Sequence, residues 1–175
     1  AIQLTMNRDL IRDHFVSIFD KSLTSNYSYV DNYEDFVNQS QNFSLPFVVK
    51  PCMSSSGKGQ TIVRNIEQIE DAWKNATNNS RGNSNKIIIE EFIDFDYEVT
   101  MLTVVGKYYT YCLKQIRHYQ ENGDYRWYSQ NEDDYFIDDV CLKNMEIISK
   151  KICKDLCEND PNNSGIFGVE FFVKR

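Results

Sequence analysis

Apolar residues recur along this chain at two different spacings. Between residues 8 and 19, Ile11, Phe15, Ile18 and Phe19 keep the three-to-four spacing of a helix. Tyr27 to Val30 is a short strand candidate, and Asp31 with Glu34 reads as a capping box opening a helix to about Gln39. Phe47, Val48 and Val49 predict a buried strand ending at Lys50, and Pro51 stops its simple continuation as a central strand. Residues 52–60 are a loop of small residues, from which Thr61 to Val63 returns as a strand. Asn65 then caps a helix whose apolar face carries Ile66, Ile69, Trp73 and Ala76.

Residues 77–85, TNNSRGNSN, form the clearest loop. After it the alternation of strands dominates: Lys86 to Glu90, Glu98 to Val105 and, past a turn at Gly106, Lys107 to Leu113. Residues 114–138 are polar, aromatic and acidic with little periodicity. A long helix is expected next, lined on one side by Cys141, Met145, Ile148, Ile152 and Leu156. Ile166 to Val173 predicts a final strand. Strands and helices mix without regular βαβ units and without an internal repeat, so the fold class is α+β. A boundary between two lobes is expected between residues 84 and 90.

Composition narrows the functional classes. The 175 residues, 41% of them hydrophobic, suffice for one domain or two small lobes. The net charge of -7 argues against nonspecific nucleic-acid binding. Residues 91–175 are the acidic half, with ten Lys/Arg against sixteen Asp/Glu, and are the better place for a divalent cation. No run of 18 apolar residues crosses a membrane, and AIQLTMNRDL lacks the pattern of a signal peptide. Five widely spaced cysteines fit reduced cytoplasmic thiols, and with two histidines a zinc site is not expected. The first residue is not methionine and the last strand has no tail, so a piece of a longer protein is expected.

The candidate chemistry centres on residues 45–60. Lys50, at the end of an apolar strand, can reach phosphate oxygens as a point charge; it can equally be an edge lysine that snorkels. Ser54, Ser55, Ser56, Gly57, Lys58 and Gly59 offer backbone N–H groups and close approach to a phosphate, or simply a hairpin turn. The spacing is not that of a Walker A loop, and a strand follows where a helix should. Glu90 and Glu91 can accept from a ribose hydroxyl beside backbone that meets an adenine edge, or be edge charges. Glu98 shares a strand face with Thr100, Leu102 and Val104, as ligand or as solvated position. Glu170 stands inside GIFGVEFFV, where a buried carboxylate is costly unless bound to Mg²⁺ or ion-paired. Arg8, Arg117 and Arg126 are further phosphate candidates, although arginines are usually surface residues. The tyrosines and Trp127 fit packing better than a stacking platform for nucleic acid.

VVKPCMSSSGKGQT, IIIEEFIDFDYEVTMLTV, HYQENGDYR and GIFGVEFFV, in this order, resemble the ATP-grasp superfamily, and within it the formate-dependent phosphoribosylglycinamide formyltransferases. LTMNRDLIR resembles the segment that opens their ATP-grasp region. The resemblance implies two α+β lobes flanking a nucleotide cleft in an incomplete ATP-grasp fold, residues 1–88 as the small lid lobe and 89–175 as part of the large lobe. It implies ATP and Mg²⁺ as cofactors. Arg8 would contact ATP, and Lys50 would meet the phosphates. Residues Ser55, Ser56, Gly57, Lys58, Gly59 and Gln60 would cover the phosphates. Glu90, Glu91, Phe92 and Ile93 would form the hinge at adenine and ribose. Glu98 would be a further ATP ligand and Glu170 the first of two magnesium glutamates.

The reaction implied is formylation of glycinamide ribonucleotide by formate and ATP through formyl phosphate, in purine biosynthesis. The parent would be a cytoplasmic homodimer acting on small molecules, with no nucleic-acid or membrane partner. Two departures bear on the acceptor: Tyr119 stands where the family has arginine, and WYSQ, Trp127 to Gln130, replaces ESWQ. The segment with the second metal glutamate and the flanking domains are absent, so this chain alone is expected to be the ATP-binding part and inactive. Another ATP-grasp carboxylate–amine ligase and a non-catalytic nucleotide-binding module are the alternatives.

Overall fold

The structure, a computed structural model, describes residues 2–54, 57–81, 86–121, 124–131, 135–158 and 164–174, with 120, 121, 124 and 125 described in backbone only. It divides into two compact units, residues 2–93 and 94–175. The division falls between Ile93 and Asp94 rather than at the expected 88–89. The reason is hydrogen bonding: the strand containing Glu90 pairs on both sides within the first unit.

The first unit opens with α1 (Ile2–Met6) and α2 (Arg8–Ile18). β1 (Tyr27–Val30) and α3 (Tyr33–Ser40) follow, then β2 (Phe47–Pro51), β3 (Thr61–Val63), α4 (Ile69–Asn78) and β4 (Ile87–Glu91). The four strands form one antiparallel sheet in the order β1-β4-β2-β3. Alternation decides its two faces. Phe47, Val49, Ile87, Ile89 and Val63 point to α3 and α4, where Phe36, Ala72 and Ala76 complete a core with almost no solvent exposure. Pro51 is the last residue of β2 and pairs with β4 beyond the reach of β3, which ends opposite Val49. The helix after β1 is capped by Asn32, whose Oδ1 accepts from the Asp35 backbone N–H at 2.9 Å, not by Asp31. Asn65 leads first into a 3-10 turn, Ile66–Gln68, because Gln68 Oε1 accepts from the Arg64 and Asn65 N–H groups.

The second unit contains β5 (Tyr97–Val105), β6 (Thr110–Cys112), β7 (Ile116–Glu121), β8 (Asp124–Ser129), α5 (Asp139–Glu158) and β9 (Gly165–Val173). The sheet runs β6-β5-β7-β8, with β9 antiparallel to β5 along nine residue pairs. α5 packs on the face carrying Val99, Met101 and Val173 through Met145 and Leu142. The stretch expected to lack regular structure contains the β7–β8 hairpin, with a register shift at Tyr119/Gln120 that breaks its alternation. β6 is shorter than the expected 107–113, because Gly106 and Tyr109 close a turn through mutual backbone hydrogen bonds.

Candidate nucleotide site

The face of the first sheet away from α3 and α4 carries the charged residues. Lys50 on β2 and Glu90 on β4 point there, because they alternate with the core residues Val49 and Ile89. Glu90 is 3% exposed. Its Oε2 accepts from Lys50 Nζ at 2.6 Å, and its Oε1 is ion-paired with Arg12 Nη2 of α2. Arg12 Nη1 donates to Thr24 Oγ1 at 2.7 Å and Ser25 Oγ at 3.1 Å. Burial pushes the Glu90 carboxyl up, but the charges of Lys50 and Arg12 outweigh that and leave it below the usual glutamate range. A carboxylate with both oxygens engaged by side-chain cations anchors those cations.

One turn before Arg12, Arg8 holds the root of the glycine loop. Its Nη1 donates to the Pro51 carbonyl at 2.9 Å and Ser54 Oγ at 3.0 Å, and its backbone N–H to the Cys52 carbonyl at 2.9 Å. The loop itself turns through Gly57 and Gly59, at φ 67° and 77°. A Cβ on Gly59 would lie 2.7 Å from Pro51 Cγ, so glycine is required there by both backbone and space. Gln60 donates its backbone N–H to the Gly57 carbonyl at 3.1 Å, and Lys58 is exposed at the tip. Ser55 and Ser56 lie outside the described residues. Cys52 beneath the loop is buried, which pushes its thiol up to about 12.

A second pair supports α2. Lys86 Nζ bonds Asp9 Oδ2 at 2.7 Å and lies 4.7 Å from the centre of the Tyr29 ring. Tyr29 donates to Asp13 Oδ1 at 3.2 Å. The sequence pattern does not single out these residues or Arg12; the i, i+4 spacing of Arg8 and Arg12 is the available signal. Glu91 is exposed and accepts from Asn26 Nδ2 at 3.1 Å. Phe92 and Ile93, half-buried, leave the sheet as irregular chain.

In the second unit, Glu98 and Glu170 share the sheet face opposite α5. Glu98 lies between His118 of β7 and Phe172 of β9, and Glu170 opposite Thr100. They are therefore diagonal neighbours across β5 and β9. Glu170 is exposed, with Ile166, Gly168 and Phe172. The expectation of a carboxylate buried among apolar residues is thus corrected: its apolar neighbours Val169 and Phe171 point to the other face. Phe95 and Phe172 stack at 4.3 Å beside Glu98. Arg117, on the α5 face, lies 4.7 Å from the Tyr97 ring centre, and Arg126 is exposed on β8.

Residues 20–175 match the model of the ATP-grasp domain. The chain belongs to the ATP-grasp family. It is 42% identical over 176 aligned residues to the formate-dependent phosphoribosylglycinamide formyltransferase of Mannheimia succiniciproducens, and 43% identical to that of Pasteurella multocida. Each alignment takes in 99% of this chain and 42% of the relative, so the chain spans about two fifths of the length of these curated relatives. Among solved structures, an N5-carboxyaminoimidazole ribonucleotide synthetase in complex with ADP shares the fold at 20% identity, with a TM-score of 0.79 over 99% of this chain and 42% of its own. The ATP-grasp assignment and the α+β class agree with the reading of the sequence. No described helix is long and apolar enough to cross a membrane.

Proposed function

We propose that this chain binds ATP with magnesium, and that the protein it represents formylates glycinamide ribonucleotide with formate. The observation that carries the reading is the presentation of Lys50 by Glu90 beside the Gly57–Gly59 turn. It occurs in an ATP-grasp chain aligned along 99% of its length with curated formyltransferases. Lys50 supplies a point charge for the phosphates, and the turn supplies backbone N–H groups. Arg8 acts on the loop root, tying it to β2, and Glu90 acts through Lys50. Glu90 to Ile93 form the hinge at adenine and ribose, with backbone for the adenine edge at Phe92 and Ile93, and Glu98 is a further ATP ligand.

Magnesium fits Glu170 in one form only. Its carboxylate is exposed and is a hard oxygen donor. Among the described residues no three ligand side chains gather into a metal cage. Magnesium held by one or two carboxylates and the nucleotide phosphates needs no such cage. The ion would neutralise charge on the transferring phosphoryl group, whose passage to formate gives formyl phosphate and ADP. Attack by the ribonucleotide amine then releases phosphate. The five cysteines are free thiols, which suits a cytoplasmic enzyme.

Calorimetry of the chain with ATP, with and without Mg²⁺, tests the nucleotide site. Saturable binding is expected, weakened by about tenfold or more in Lys50→Ala, the loss of one charge-assisted contact. Absence of binding at millimolar ATP overturns the reading. Formate-dependent release of ADP with glycinamide ribonucleotide tests the acceptor in the protein of the relatives' length.

A further inference from the structure

Arg12 has no part in the expected set of nucleotide ligands, yet it sits at the centre of the charged face. Its guanidinium is committed in three directions: to Glu90, to Thr24 and to Ser25. Its fourth neighbour is the Tyr27 ring, 5.2 Å away. A side chain so engaged acts first on what it holds.

What it holds is the carboxylate that grips Lys50. Lys50, Glu90 and Arg12 together carry a net charge of +1, two cations against one anion. Removing the Arg12 charge leaves a neutral pair. Glu90 is buried, so water screens little of the attraction between its carboxylate and the Lys50 ammonium. Both Glu90 oxygens then turn to Lys50, and the ammonium is drawn into the sheet. With Arg12 present, one oxygen is already satisfied, and the ammonium keeps charge to spare for a second anion. The planar fork of arginine suits this bridging of a carboxylate and two hydroxyls better than lysine.

We infer that Arg12 is a positioning residue of the phosphate site: by neutralising Glu90 it keeps the Lys50 ammonium available to an incoming polyphosphate. The inference rests on the proposed nucleotide site, but it has a consequence without nucleotide. Lys50 should react with a small acylating reagent more readily when Arg12 is present than when it is absent.

Three proteins decide it: the chain itself, Arg12→Gln, and the double variant Arg12→Gln with Glu90→Gln. Each is titrated with ATP, and each is treated with limiting acetic anhydride, the acetylation of Lys50 being read by peptide mass spectrometry. Arg12→Gln is expected to lower ATP affinity on the order of tenfold and to slow Lys50 acetylation several-fold. The double variant restores the +1 charge and should recover Lys50 acetylation to within about threefold of the unchanged chain, while its ATP affinity also loses the anchor that Glu90 gives Lys50. Unchanged Lys50 acetylation in Arg12→Gln overturns the inference. So does a double variant whose Lys50 is acetylated as slowly as in the single one. Thermal melting separates these results from unfolding. Should Arg12→Gln not fold, the double variant decides alone: Lys50 acetylation within about threefold of the unchanged chain supports the inference, and a roughly tenfold slowing refutes it. If the unchanged chain binds no ATP, the nucleotide reading fails, and the acetylation rates alone then decide whether Arg12 frees the Lys50 ammonium.

Discussion

Glu90 is the residue on which most of the first unit's electrostatics converge. A carboxylate at 3% exposure loses its hydration and survives charged only through its partners. Here Lys50 and Arg12 provide them, and the net result is a carboxyl below its ordinary range. The sign of the linkage follows. A lowered folded-state value contributes stability above the unfolded value, about 4.3 for glutamate, and that stability is lost as the pH falls through the folded value. Thermal melts of the chain from pH 7 to pH 3 should therefore show Glu90→Gln costing roughly 3 kcal/mol at neutral pH. The difference should shrink below about pH 4. A gap that stays constant down to pH 3 would mean that Glu90 carries no charge-dependent stability. The sequence marked Glu90 as a candidate but could not give its role. Its place at the end of an apolar strand was visible, whereas the cation opposite came from α2, 78 residues earlier.

At the scale of elements, the period of apolar residues was informative wherever one face was buried. β5, β9, α4 and α5 follow it, since each packs one face on a core, whereas β2 and β4 read as continuous apolar runs because both of their faces are buried. β7 and β8 escaped because both faces carry polar or aromatic side chains and the register shift interrupts the alternation. Glu170 was misjudged for the reverse reason. Apolar neighbours on either side implied burial, but in a strand those neighbours face the other way. α5 contains one residue that breaks its own pattern. Ser149 is fully buried on the α5 stripe, and its Oγ has no hydrogen-bond partner among the described residues. A buried hydroxyl without a partner costs about 1–3 kcal/mol, and alanine is the better helix former. Ser149→Ala should raise stability by about 1 kcal/mol, measured by urea unfolding. A loss of stability would show that the hydroxyl is satisfied in solution.

For the molecule as a whole, the distribution of charge has functional content. The net charge of -7 would repel a nucleotide, so binding depends on where cations and anions are placed. In the first unit the cations Arg8, Arg12 and Lys50 gather at the sheet face and the loop root, and among the described acids only Glu90 is buried with them. In the second unit the acids Glu98, half-buried, and Glu170, exposed, share the sheet face opposite α5. If Glu170 takes magnesium together with the phosphates, its contribution appears only when both ion and nucleotide are present. Glu170→Gln removes one charge from an exposed strand position, so thermal stability should move by no more than about 0.5 kcal/mol. The affinity for ATP without magnesium should be unchanged or slightly higher, because one repulsive carboxylate is gone. The enhancement of ATP affinity by Mg²⁺, measured as the ratio of dissociation constants with and without the ion, should fall towards one. A ratio equal to that of the unchanged chain would remove Glu170 from the metal site while leaving Lys50 and the glycine turn as the nucleotide's phosphate contacts. The same titration on Glu98→Gln supplies the contrast: as a ligand of ATP rather than of the metal, Glu98 should weaken ATP with and without magnesium alike when replaced, leaving the ratio intact.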